Sequence, residues 1–296
     1  MIIDEHRRPN YALASGLLLL TLWTTSAAGS RMVHNFENNL PAFRFDPDAT
    51  GLLESFLQPS QLLSGLSFAL PLIVILMAHE LGHYFACLYY DLEATLPYFL
   101  PFPTFIGTFG AFIRIRSIIY SRTVLFDVGI AGPIAGVVML LPFLLFGVWM
   151  SKVSPNAMDG DLVFGTPLLL KFFEGIFFPG VPAEQIYLHP MARAAWVGIF
   201  ATALNLLPIG QLDGGHIVYA LMSRWSKTIS LISIGILLPL GYYYWPWLGW
   251  AVVLYFFGRR HPQIHDDYPI DARRKSLAAL ALLIFILCFM VAPLRY

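Results

Sequence analysis

"ILMAHELGHYFAC" occupies residues 75–87. Most of it is oily, yet it holds His79, Glu80 and His83 within little more than one helical turn. The apolar run around it extends from about residue 63 to 90. Ionisable groups at that density are costly in lipid and mark a functional position by default. His79 and His83 are four residues apart, so on a helix they stack on one face, with Glu80 beside it. This stretch decides the fold: a membrane helix with a polar, chemically equipped end.

Composition agrees. Of 296 residues, 57% are hydrophobic and 12% are charged, against about 25% charged in soluble domains. The apolar residues lie in long runs, which predicts a polytopic membrane protein. Net charge is zero, so nothing in the charge balance invokes nucleic acid. Cys87 and Cys288 both fall in apolar runs and read as inert fillers rather than a disulfide. The first apolar run reads as a retained span.

Hydropathy predicts an all-α polytopic fold of about seven transmembrane helices, at residues 12–29, 63–90, 123–149, 191–208, 229–244, 246–258 and 277–293. A small membrane-associated β-hairpin or sheet is expected near the active site. With the N-terminus in the cytoplasm, twelve Lys and Arg fall on the cytoplasmic side and six on the far side. That pattern predicts that the N-terminus and the His79–His83 end of the second span face the cytoplasm, and a bacterial cytoplasmic membrane is the expected location. Three regions are expected: 1–62, an N-terminal span with a far-side loop; 63–222, a core that holds the histidine pair; and 223–296, C-terminal spans with a basic linker. No soluble domain is visible.

Two imidazoles at i, i+4 suit one Zn²⁺ per chain, and an adjacent glutamate suits activation of water. A polar patch satisfied by neighbouring helices, or a proton relay, is the plainer reading. A catalytic zinc usually has a third protein ligand and an open position. "NLLPIGQLDGGH" (205–216) follows the fourth predicted span and offers Asp213, with His216 as its rival. Pro208 breaks the helix there, and the Asn205 amide precedes the break.

"HELGH" (79–83) together with "NLLPIGQLDGGH" resembles the site-2 protease family of intramembrane zinc metalloproteases, and the resemblance extends to "GTFGAFIRI" (107–115) and "GPIAG" (132–136). The resemblance implies His79, His83 and Asp213 as zinc ligands and Glu80 as the base that activates water. It implies that Asn205 helps hold the substrate or its oxyanion. It implies a three-helix core, transmembrane proteins as substrates, the lipid bilayer as surroundings, and release of a regulatory fragment. The gaps between spans are too short for the PDZ or CBS domains that many members carry.

Two further segments bear on the site. "PYFLPFPTFIGTFGAFIRIRS" (97–117) alternates through Phe112, Arg114 and Arg116 and predicts strand. Its open edge would suit strand addition by an unwound substrate. Gly132 and Gly136 read as a close helix-packing pair, and Asp127 as a cap or a brace. A metal or proton transporter using the same ligands, or a helix-binding scaffold that does not cut, remains the alternative. Glu80 separates these, because a hydrolase needs a base beside an open metal position.

Overall fold

The computed structural model describes residues 10–41, 59–154, 163–258, 264, 266 and 268–295. His6, His261, His265 and the cations Arg7, Arg8, Arg44, Arg259 and Arg260 lie outside the described residues.

Helix α1 (Tyr11–Glu37) starts where the Asn10 side chain accepts a hydrogen bond from the Leu13 amide at 3.0 Å. A short α2 (Pro59–Ser64) leads into α3 (Leu66–Tyr89), which carries the histidine pair. Strands β1 (Tyr98–Pro101) and β2 (Thr108–Phe112) form an antiparallel hairpin with Tyr98 opposite Phe112 and Pro101 opposite Thr108. Helix α4 (Arg122–Trp149) is capped by Ser121, whose hydroxyl accepts from the Thr123 amide. Beyond the C-terminal end of α4, β3 (Lys152–Val153) pairs with β5 (Ile186–Tyr187), and β4 (Val163–Phe164) pairs with β6 (Leu294–Arg295). Between them runs α5 (Leu168–Phe177). Then come α6 (Pro190–Asn205), α7 (Asp213–Leu221), α8 (Ser223–Leu240), α9 (Pro246–Val253) and α10 (Ala272–Cys288). A π-helical turn at Leu254–Gly258 follows α9.

Three helices, α1, α3 and α4, are long and apolar enough to cross a membrane. The expectation of about seven is therefore wrong among the described residues, and the reason is length and charge. A hydrocarbon core of about 30 Å needs roughly 20 helical residues at about 1.5 Å each. The predicted fourth span is α6, with 16 residues. The fifth is α8, whose first turns hold Arg224 and Lys227. The sixth is α9, only 8 residues before the π turn. The seventh is α10, which spends its first turn on Arg273, Arg274 and Lys275. The twelve-to-six division of cations assumed seven crossings and does not carry over.

Helix α6 is an interior helix instead. Ala192, Ala194, Ala195, Trp196 and Ile199 are buried, and the helix packs on both α3 and α4. Phe68, Leu72 and Ile75 of α3 meet Leu140 and Leu144 of α4 in the same core. Full burial of one such side chain is worth about 1.5–3 kcal/mol relative to exposure in water. Cys87 and Cys288 are free and buried.

The hairpin is tied to α1. Thr24 donates its hydroxyl to the Gly107 carbonyl at 2.6 Å. Gly107 has φ +85°, and a Cβ there would sit 2.5 Å from the Thr24 carbonyl oxygen. Both its conformation and its neighbour therefore require glycine.

Candidate metal centre

His79 and His83 project from the second half of α3 and are buried, as is Glu80 between them. Helix α6 stops at Asn205 because Pro208 lies just beyond and cannot continue it. The chain turns through Gly210 at φ +49°, and α7 begins at Asp213. The Ser230 hydroxyl accepts from the Gly210 amide at 3.1 Å and holds the turn. That reversal brings Asn205 and Asp213 to the same point.

His79 Nε2 and His83 Nε2 are 3.1 Å apart. Asp213 Oδ2 lies 3.2 Å from His79 Nε2, and Asp213 Oδ1 lies 3.4 Å from His83 Nε2. His83 Nδ1 is 2.7 Å from the Val128 carbonyl oxygen. A carbonyl can only accept, so Nδ1 carries the hydrogen, and in the neutral ring Nε2 presents a lone pair to the cluster. Lone pairs and the two carboxylate oxygens of Asp213 then meet. Such acceptors repel one another unless a proton or a metal ion sits among them. Zn–N distances of 2.0–2.1 Å in tetrahedral geometry put ligand atoms about 3.3 Å apart, and the observed edges of 3.1–3.4 Å match. The donor set fits zinc. His79, His83 and Asp213 form the one group of this kind among the described residues, and the rival His216 is not part of it.

Glu80 stands outside the ligand set. Its carboxylate lies toward the Ile113 backbone N–H just past β2, so the hairpin borders it. The Asn205 amide Nδ2 lies 3.1 Å from His79 Nε2, at the edge of the same convergence point. A cavity of about 300 Å³ opens on these groups. It is lined by Thr108–Ala111 of β2, by Val197, Ala201 and Leu204 of α6, and by Trp250 and Leu254. The lining is mostly small or apolar.

The glycines of α4 do something beyond what their spacing suggested. Gly129, Gly132 and Gly136 lie on one face of the helix at i, i+3 and i+7. A Cβ on Gly132 would fall 2.1 Å from His83 Nε2, and one on Gly136 would fall 3.2 Å from His79 Nδ1. A Cβ on Gly129 would meet the His216 Cβ at 3.0 Å and the Asp213 carbonyl oxygen at 3.5 Å. The row is a cradle for the ligands as well as a packing face. Three glycines on one face, opposite a helix bearing two imidazoles, were the signal for it. The Val128 carbonyl and the Ile113 amide left no such signal, because backbone groups carry no sequence mark.

Residues 67–241 match the model of Peptidase family M50. The chain belongs to this family. The M50 chain is 30% identical over 309 residues to "Probable zinc metalloprotease EGY1, chloroplastic" of Oryza sativa subsp. japonica, covering 96% of this chain and 50% of that protein. It is 28% identical over 288 residues to the Arabidopsis thaliana protein of the same name, covering 94% and 52%. It is 30% identical over 281 residues to "Probable zinc metalloprotease EGY2, chloroplastic" of Arabidopsis thaliana, covering 88% and 47%. The M50 chain thus spans about half the length of these curated relatives. No solved structure matches it. It is a multi-pass integral membrane protein of the M50 zinc metalloproteases, related to the EGY-type site-2 proteases.

Proposed function

We propose that this chain is a zinc-dependent intramembrane endopeptidase that hydrolyses peptide bonds within or near transmembrane segments of other membrane proteins. One observation carries the reading: a three-residue acceptor cluster that needs a proton or a metal ion, with a separately held carboxylate beside it, at the head of an apolar groove. His79, His83 and Asp213 hold the zinc, which when bound polarises a carbonyl and lowers the pKa of water. Glu80 takes a proton from the attacking water and passes it to the leaving nitrogen. The Ile113 N–H borders the Glu80 carboxylate. The Asn205 amide donates to the developing oxyanion. The groove between β2 and α6 takes an unwound, extended substrate segment, with small side chains such as Gly110 and Ala201 leaving it room. The β2 edge supplies strand pairing.

The catalytic core is residues 63–222, flanked by 1–62 and 223–296. The site opens on the cytoplasmic side of a bacterial cytoplasmic membrane, and the N-terminus lies on that side. The support is local charge: Arg114, Arg116, Arg122, Arg273, Arg274 and Lys275 lie on segments near the metal end of α3 and α4. Cleavage there would free a cytoplasmic regulatory fragment.

Cleavage of a labelled transmembrane peptide in liposomes, with mass spectrometry of the products, tests the reading. Glu80→Gln keeps size and zinc, and its rate should fall by roughly 10²–10⁴-fold. The cut should map inside the apolar segment. Wild-type cleavage by Glu80→Gln would reject the mechanism.

A further inference from the structure

The Asp127 side chain takes no part in the metal cluster. Oδ1 accepts from Arg274 Nε at 2.8 Å, and Oδ2 accepts from Arg274 Nη2 at 2.6 Å. Oδ2 also accepts from the Tyr90 hydroxyl, at the end of α3. Arg274 sits in the first turn of α10, where the cap residue Asp271 accepts from its backbone N–H at 2.8 Å and from its Nη1. The pair is bidentate and partly buried, with each side chain 22% exposed. Planar fork pairing of this kind fixes direction as well as distance.

What Asp127 is attached to gives the pair its meaning. The next residue, Val128, offers the carbonyl that fixes His83 through Nδ1. Gly129 lies against the Asp213 backbone, and Gly132 lies against the His83 ring. One turn of α4 therefore touches two of the three ligands. That turn is also short of a rung, since Pro133 has no N–H to give the Gly129 carbonyl. A helix weakened there gains from a fixed point outside itself.

We propose that Asp127 and Arg274, with Tyr90, form a brace that sets zinc affinity by holding residues 127–132 of α4 against His83 and Asp213. The inference rests on those residues being metal ligands. It makes α10, which lies outside the family-matched residues 67–241, a contributor to the metal centre. Asp127 and Arg274 are positioning residues. Partners that orient a ligand histidine typically alter metal affinity 10–100-fold, and action through one carbonyl places this brace near the lower end.

The test is zinc affinity of the purified full chain in detergent, by competition with a chromophoric chelator, reported for the folded fraction. Asp127→Asn and Arg274→Ala should each weaken zinc binding about tenfold. The double variant should be no weaker than either single one, since both remove one interaction. Arg274→Lys should be intermediate, because a point charge cannot fork. Tyr90→Phe, which loses one hydroxyl and should fold, should weaken binding a few-fold. Arg273→Ala, on the neighbouring residue, should match wild type. Wild-type affinity in the folded fractions of Asp127→Asn, Arg274→Ala and Tyr90→Phe would overturn the brace alone. A wild-type chain that binds no zinc would overturn the metal reading and the brace with it.

Discussion

The two ends of the helical core both bury polar groups, and they do so in opposite ways. At the metal end, like faces like: two imidazole nitrogens and the two carboxylate oxygens of Asp213 meet at 3.1–3.4 Å. At the far end, unlike faces unlike. Lys152 Nζ lies 4.3 Å from the Phe36 ring centre and donates to the Phe36 carbonyl. The Arg193 guanidinium lies 5.0 Å from the Tyr187 ring centre, and its Nε donates to the Leu188 carbonyl at 3.0 Å. Cation–π contacts and charged hydrogen bonds stabilise that arrangement without help. At the far end the two cations meet rings and carbonyls of the protein itself. The metal end needs a shared proton or a metal ion to balance its acceptors. Buried polar groups in a membrane protein mark function most clearly where their own neighbours leave the electrostatics unbalanced.

The sharpest way to break this contrast is steric. Gly132→Ala places a methyl where a Cβ would be 2.1 Å from His83 Nε2, so the imidazole must leave the cluster. Zinc content should fall to background and cleavage should vanish. Gly16→Ala, where a Cβ meets nothing within 4 Å, should change neither. Elemental analysis of the two purified variants checks this, and full zinc in Gly132→Ala would break the cradle.

A smaller effect belongs to the far end. Burial pushes the Glu174 carboxyl up to about 7 from its ordinary 4.5, with Lys171 only partly opposing. A carboxyl raised on folding favours the folded state while it stays protonated. Its contribution is full below about pH 4.5 and is lost as pH rises through about 7. The loss is roughly 3 kcal/mol, since one unit is about 1.4 kcal/mol. Wild-type melting temperature in detergent should therefore fall between pH 5 and pH 8.5, and Glu174→Gln should flatten that fall while leaving zinc content unchanged. An equally steep fall in Glu174→Gln would assign the slope to other groups.

Much of the site was legible in the sequence, and the fold less so. His79, Glu80 and His83 announce themselves because three ionisable residues in an apolar run have few other uses. Asp213 was the better of two candidates, family resemblance set it further ahead of His216, and the turn at Gly210 brings it to the histidine pair. Alternation in 97–117 pointed to strand, and β1 and β2 lie there. The number of crossings was not legible. Hydropathy counts apolar residues without asking whether a helix keeps them for about 20 positions. It overlooked the charged first turns of α8 and α10 and the interior burial of α6. Asp127 and Arg274 are 147 residues apart, and no local pattern connects them.

Metal stoichiometry tests the central claim most directly. The full chain, purified without added metal, should carry one zinc per chain by elemental analysis. His83→Ala and Asp213→Ala should each carry almost none, while circular dichroism shows their helices intact. A wild-type chain without zinc, or full zinc retained by Asp213→Ala, would contradict the account.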